Sequence, residues 1–294
     1  MIGIVILNYN DWENAVNCIN SISEKDLNYK IYFVDNCSIR DEEKLELIRS
    51  KAAKVILLNK NNGYSAGNNI GISAAKSDGC RNILISNTDI IFTPGAVSEL
   101  KKIIDKKNYA IAAPRVKVTD FLYQEIILGV HVNRWNKLML MLRGTIFGFL
   151  VKDYAEKFAC TAKINDDYID VYGVSGCCFL MSEEAVNVCH PLDENIFLYN
   201  EEYVVAHKML RKNLKSCLTN KSVVYHLGGE STKKIASLTY KYFIESEQIL
   251  LKKYYESGVV FNLFVYILRL AKPLSQILNG GLKINQFISI YMRK

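Results

Sequence analysis

None of the eight cysteines, at positions 18, 37, 80, 160, 177, 178, 189 and 217, stands in a C-x-x-C pair. Structural zinc and dithiol redox sites are built on that spacing, so the sequence argues against both and for reduced thiols in a cytoplasmic setting. Vicinal Cys177 and Cys178 fall in an apolar, strand-like run and read as small buried residues. No Gly-Lys-Ser/Thr phosphate loop occurs, and the turn after the first apolar run, Asn8-Tyr-Asn-Asp11, contains no glycine. A dinucleotide fingerprint and its pyrophosphate seat are thereby absent. The apolar stretch near the C-terminus, Val259 to Leu268, spans ten residues, where a bilayer needs about 20. Met1 leads directly into a strand, and no signal peptide is expected.

What is present is an alternation of strands and helices. A chain of 294 residues with 50% apolar content has material for one large core, or one core and an appendage. Ile2 to Leu7 is a near-continuous apolar run of parallel-sheet type that stops at Asn8-Tyr9-Asn10, with helix-compatible sequence from Trp12 to about Ser23. Ile31 to Val34 stops at Asp35-Asn-Cys-Ser38. Lys54 to Leu58 stops at Asn59 and runs into Asn61 to Asn69, with helical sequence from Asn68 to Ala75. Arg81 to Asn87 ends at Asn87-Thr88-Asp89, and another helix begins near Thr93-Pro94. This alternation predicts a right-handed, doubly wound sheet whose carboxyl ends share one polar rim.

Two positions on that rim suit a nucleotide. Asn87 and Asp89 set an amide and a carboxylate two residues apart, able to hold a ribose hydroxyl and a divalent cation bridging phosphates. The plainer reading of Asp89 is a cap for the next helix. Asp35 accepts a hydrogen bond from a base or ribose edge, or else forms an Asx turn, and spacing alone leaves the two level. The glycines at 63, 67 and 71 are four apart, a weak phosphate signal, and Gly71 reads as close helix–sheet packing.

Val5-Ile-Leu-Asn-Tyr-Asn10, Val34-Asp-Asn-Cys-Ser38, Asn62-Gly-Tyr-Ser-Ala-Gly-Asn-Asn69 and Asn87-Thr-Asp89 follow one another in order. Gly173-Val-Ser-Gly-Cys-Cys-Phe-Leu180, Leu192-Asp-Glu-Asn-Ile-Phe-Leu-Tyr-Asn-Glu-Glu202 and His226-Leu-Gly-Gly-Glu-Ser231 continue the series. Together they resemble glycosyltransferase family 2 over residues 1–232, and the asparagine-first Asn87-Thr-Asp89 resembles its rhamnosyltransferase-like branch. The resemblance implies a GT-A-type doubly wound mixed sheet, with residues 1–116 binding a nucleotide-sugar donor and residues 117–232 the acceptor. It implies an inverting transfer assisted by Mg²⁺ or Mn²⁺. Leu7, Asn8, Tyr9, Asp35, Asn62, Gly63, Gly67, Asn68, Asn87, Thr88 and Asp89 would meet the donor. Asp89 and His226 would meet the metal, and Gly176 and Tyr199 the acceptor. The acceptor's proton would go to Glu202, with Glu201 as its support or the runner-up; the structural alternative is that both acids merely complement the start of a helix from Glu202 to Lys212. Members of the family often carry Asp two positions beyond the base, where this chain has Val204.

Charge divides the chain. Residues 233–294 hold ten Lys/Arg against three Glu, whereas residues 1–232 hold 27 of each sign, so the whole +7 lies in the tail. A basic tail beside the apolar Val259 to Leu268 run, followed by Arg269, Lys272 and Pro273, predicts a helical segment at an anionic membrane surface; a helical pair packed on the catalytic part is the alternative. Phe261, Phe264 and Val265 would carry its apolar face. Nucleic acid is a poor partner, because the basic residues are interleaved with aliphatic runs. Lys117 to Val132 is expected to form strands across the first sheet, Trp135 to Leu150 is apolar and basic with Met139, Met141 and Phe147 prominent, and Asp166-Asp167 belongs to a surface loop.

The expectation is a cytoplasmic enzyme, peripheral at the inner face of the membrane. It would pass rhamnose from dTDP-rhamnose, or a hexose from a UDP-hexose, to a hydroxyl of a growing, lipid-linked bacterial surface glycan. A sugar nucleotidyltransferase would need a glycine-rich basic loop after strand one. An inactive membrane scaffold would not need the intact Asp89 and Glu202.

Overall fold

The computed structural model describes residues 1–120, 122–124, 128–141, 152–156, 158, 167–228, 236–278, 284–288 and 290. Its first part runs β1 (Ile2–Asn8), α1 (Trp12–Ser21), β2 (Tyr29–Asp35), α2 (Glu42–Arg49), β3 (Lys54–Leu57), α3 (Gly63–Ser77) and β4 (Asn82–Asn87). A short β5 (Ile90–Phe92), α4 (Ala96–Lys107) and β6 (Ile111–Lys117) follow. Then come α5 (Arg134–Met141), α6 (Lys152–Glu156), β7 (Tyr168–Val171), β8 (Cys178–Met181), α7 (Glu183–Cys189), α8 (Glu201–Arg211) and β9 (Ser216–His226). The tail comprises α9 (Ala236–Ile249), a π-helical turn (Leu250–Tyr254), α10 (Val259–Leu278) and α11 (Ile284–Phe287).

All nine strands form one sheet, in the order β3-β2-β1-β4-β8-β6-β9-β5, with β7 also paired to β9. The first four are mutually parallel, and β8 turns the sheet antiparallel against β4. Burial on both faces explains the apolar runs. Ile4 and Ile6 of β1 point into a core shared with Trp12, Phe33, Leu45 and Leu100, under α1, α2 and α4. Val5 points the other way, into a core shared with Ile72, Ile85, Met181 and Met209, under α3, α7 and α8. Register aligns the strand ends: Asn8 stands opposite Asp35, and Leu7 opposite Asn87. The polar rim is thus a single level of the sheet.

Several elements differ from the sequence expectation. Helix α3 starts at Gly63 rather than Asn68, because Gly63 takes φ +83° and α3 lies hard against β1. A Cβ on Gly71 would sit 2.4 Å from Val5 Cγ1, and one on Gly67 2.5 Å from Leu7 Cδ1. Close packing overrides the low helix propensity of glycine. No strand lies between Lys117 and Val132 among the described residues; only an isolated bridge joins Lys117 to Tyr123. The long β9 accounts for this, since it takes β6 on one side and β5 and β7 on the other. Phe147 and Asp166 lie outside the described residues, as does the Gly229–Ser231 part of the histidine motif.

The tail is packed, not merely appended. Leu250 shares a core with Ile196 and Val204, and Ser246 Oγ donates to the Leu198 carbonyl at 2.8 Å. Helix α10 runs ten residues beyond the expected apolar stretch, and Val265 is buried in it rather than on its outer face. Among the described residues no helix is long and apolar enough to cross a membrane.

Candidate active site

A cleft of about 680 Å³ opens over the carboxyl ends of β1 and β4. Its floor is a network of amides. Asn8 Nδ2 donates to Asp35 Oδ1 at 2.9 Å and to Ser38 Oγ at 3.1 Å. Asp35 also accepts from the Ser38 amide at 3.0 Å and from its hydroxyl, so the Asx-turn role fills its oxygens. Asn36 Oδ1 accepts from Asn62 N at 3.0 Å, while its Nδ2 donates to Asn61 Oδ1 at 2.9 Å. These bonds hold the rim rigid before any ligand arrives.

Of the donor residues expected from sequence, Leu7, Asn8, Tyr9, Gly63, Asn87, Thr88 and Asp89 line the cleft. Asp35, Asn62, Gly67 and Asn68 are not among its lining residues. Gly67 serves helix packing, and Asn68 is buried with Nδ2 donating to the Tyr64 carbonyl at 3.0 Å. The cleft also takes Asp11, Asn36 and Tyr64, and Asp11 Oδ2 accepts from Thr88 Oγ1 at 3.0 Å.

Strand pairing brings Asp89 and His226 together. Ile90 of β5 stands opposite His226 of β9, and Leu227 N donates to the Asp89 carbonyl at 2.9 Å. His226 Nε2 lies 3.0 Å from Asp89 Oδ2, and its Nδ1 lies 3.0 Å from Gln124 Oε1. An imidazolium donates to both oxygens. A neutral ring held as the Nδ1–H tautomer by Gln124 instead turns its Nε2 lone pair toward the carboxylate. That arrangement, one carboxylate oxygen and one oriented imidazole nitrogen, suits a divalent cation. Among the described residues no group of three or more His, Cys, Asp or Glu is placed to hold a metal. The two donors therefore fit an ion whose remaining positions are filled by phosphate oxygens and water.

The carboxylate pair enters on another wall. Tyr199 and Asn200 take left-handed φ of 66° and 64°, which turns the chain sharply and starts α8 at Glu201. Glu201, Glu202, Gly176 and Tyr199 all line the cleft. A Cβ on Gly176 would lie in ordinary contact with Glu201 Oε1 and Tyr64 Oη, at 3.5 Å each, which places this segment beside the carboxylate. Tyr64 Oη donates to the Gly176 carbonyl at 2.5 Å. Glu201 Oε2 is buried and has no hydrogen-bond partner among the described residues. Burial, then the Glu202 charge, pushes the Glu201 carboxyl well above the usual range. Burial pushes Glu202 up as well, but its own backbone hydrogen bond and the Lys137 ammonium oppose the shift. Both carboxyls of the pair are thus held above the usual range, and the Lys137 charge opposes the shift at Glu202.

The sequence reading missed several cleft residues. Tyr64 and Asn36 stand inside motifs singled out for their neighbours. Gln124 has no local signal, and Leu238, Thr239 and Tyr242 reach the cleft from α9. Phe197 and Tyr242 pack with ring centroids 4.2 Å apart, joining the tail to the cleft wall.

The model of the family described as Glycosyl transferase family 2 matches residues 3–189. The low-salt glycan biosynthesis hexosyltransferase Agl10 of Haloferax volcanii is 27% identical over 214 residues, covering 72% of this chain and 62% of the relative. The chain therefore spans under two thirds of that protein. Among solved structures, GalNAc-T7 with UDP, GalNAc and Mn²⁺ superposes with a TM-score of 0.59 at 15% identity, over 85% of this chain and 47% of the other. Residues 1–349 of S. aureus TarS superpose with a TM-score of 0.51 at 13% identity, over 87% of this chain and 73% of the other. At these identities the likeness shows the fold, which is GT-A.

Proposed function

The chain belongs to glycosyltransferase family 2, and from that premise we propose a cation-assisted, inverting transfer from a nucleoside diphosphate sugar to a hydroxyl of a lipid-linked glycan. The observation that carries this reading is the meeting of the Asp89–His226 pair and the Glu201-Glu202 pair in one cleft. Glu202 takes the proton of the acceptor hydroxyl as its oxygen bonds to the anomeric carbon. The bond from that carbon to the diphosphate oxygen breaks, and the diphosphate leaves with the electron pair. A bound Mg²⁺ or Mn²⁺ would supply Lewis-acid neutralisation of the departing charge. Asn8, Asn87 and Thr88 orient the donor along the strand ends. The single displacement inverts the anomeric centre.

The donor carries a hexose, as dTDP-rhamnose or a UDP-hexose, a reading supported by the name of the related hexosyltransferase of glycan biosynthesis. A lipid surface completes the reading as partner. On α10, Val260, Leu263, Phe264 and Ile267 are exposed at i, i+3, i+4 and i+7, beside a tail that holds the whole net charge. Exposed Trp135 of α5 extends this face, its ring edge-on to Phe261 with centroids 5.1 Å apart.

The deciding experiment is a thermal-shift and nucleotide-release screen of nucleoside diphosphate sugars with and without Mn²⁺. Stabilisation by one nucleotide class only when Mn²⁺ is present, with release of its diphosphate on adding acceptor, is the expected result. Stabilisation by none of them sinks the reading.

A further inference from the structure

Lys137 is a buried lysine in a short helix that the proposed mechanism leaves unused. Its residue is 5% exposed. Helix α5 is fixed at its start by reciprocal capping: Asn133 Oδ1 accepts from the amides of Trp135 and Asn136, and Asn136 Oδ1 accepts from Asn133 N. From that anchored helix, Lys137 Nζ donates to Asn200 Oδ1 at 2.5 Å and lies 3.5 Å from the centroid of the Tyr203 ring. Asn200 immediately precedes Glu201, and Tyr203 immediately follows Glu202. The ammonium therefore grips both flanks of the carboxylate pair.

The charges facing it come from three helices: Glu202 on α8, Glu247 on α9 and Arg269 on α10, with Tyr203 as the adjoining titratable ring. Arg269 already holds Glu247 through two hydrogen bonds of 2.6 and 2.7 Å. Glu247 is wholly buried, whereas Glu201 and Glu202 are half-buried and open to the cleft. Glu247 is thus held by Arg269, and the Lys137 charge acts on Glu202, where it opposes the rise of that carboxyl. Lys137 itself is pushed down to about 8 by burial, against the pull of Glu247 and Glu202.

We infer that Lys137 is the positioning residue of the base: it fixes Asn200 at the start of α8 and sets a positive charge that keeps Glu202, not Glu201, as the working carboxylate. This rests on the reading of Glu202 as base, so its test includes a readout independent of activity. In full-length protein with ¹³C-carboxyl glutamate, the Glu202 signal is identified by its loss in Glu202→Gln and titrated in wild type, Lys137→Gln and Lys137→Arg. Lys137→Gln removes the charge and presents a shorter, neutral amide donor toward Asn200, while Lys137→Arg restores the charge. The Glu202 titration should move up by about one pH unit or more in Lys137→Gln and return in Lys137→Arg. The acid limb of the transfer-rate profile should move with it, at a donor KM within about twofold. An unmoved Glu202 titration in folded Lys137→Gln, or a rate lowered equally at every pH, overturns the inference. So does a wild-type Lys137 ¹³Cε resonance showing a neutral amine at pH 7, which needs no variant. A fully active Glu202→Gln would instead remove the base assignment, while the titration still decides what Lys137 does.

Discussion

Arg269 grips Glu247 bidentately, Nε to Oε2 and a terminal nitrogen to Oε1, and so fastens α10 to α9 behind the carboxylate helix. The Glu247 side chain is wholly buried. Arg269→Ala should therefore cost about 3–5 kcal/mol in urea unfolding, because it strands a buried charge. Arg269→Met combined with Glu247→Leu should recover most of that loss. Equal destabilisation by the single and double variants would show that packing, not the ion pair, holds the tail.

The cation prediction concerns Asp89. Nucleoside diphosphate affinity in the wild type should fall on adding chelator, and Asp89→Ala should lower affinity to that level while keeping its unfolding midpoint. Calorimetry that finds the same metal-dependent affinity in the variant would take Asp89 out of the site.

For the base, Glu202→Gln should cut turnover by about 10²–10⁴-fold with donor affinity nearly unchanged. Glu201→Gln should do less, because the Lys137 charge acts on Glu202 and not on Glu201. The opposite ranking in a transfer assay moves the base one residue upstream.

Asp193 should make stability depend on pH at the acid end. Burial alone would raise its carboxyl, but hydrogen bonds from Lys253, Tyr254 and Asn195 outweigh this and bring it down to about 2. A folded-state value below the unfolded one, about 3.9, means stabilisation that is present above pH 4 and lost as pH falls toward 2. Thermal melts of Asp193→Asn should show a smaller drop between pH 5 and pH 2.5 than the wild type; an identical drop refutes the assignment.

The tail should bind vesicles containing anionic lipid at low salt, with a salt-resistant remainder from its apolar stripe. Leu263→Glu with Phe264→Glu should abolish cosedimentation while leaving the melting temperature within a few degrees, since both side chains face solvent. A wild-type chain that stays in the supernatant at low salt ends the membrane reading.

How far the molecule is legible in its sequence depends on how local the cause is. β1, β2 and β4 are legible because strands buried on both faces must be apolar, and their polar ends mark the rim. The start of α3 is not, because glycines at 63 and 67 lower helix propensity while the close approach of Phe197 to the first and Leu7 to the second demands them. The length of β9 is hidden, since its Lys221 and Asn220 break the apolar pattern that reveals Ser222 to Tyr225. Lys137 is one basic residue in the apolar, basic stretch from Trp135, and only the placement of α8 and α9 around it shows that it is buried. Tyr242 enters the cleft from the far end of the chain, which no spacing encodes.

The place where β4 meets β8 has one more consequence. Asn87 N donates to the Cys177 carbonyl at 2.8 Å, and Ser86 stands opposite Cys178. The donor rim and the segment bearing Gly176 are thus stitched across a single pair of strands. A one-residue slip of the β4–β8 register would send each side chain of β8 to the opposite face, Leu180 and Met181 included. Divergence of sugar specificity along this stitch must proceed by exchanging side chains at constant length, which makes it a place for saturation mutagenesis and a poor one for loop grafts.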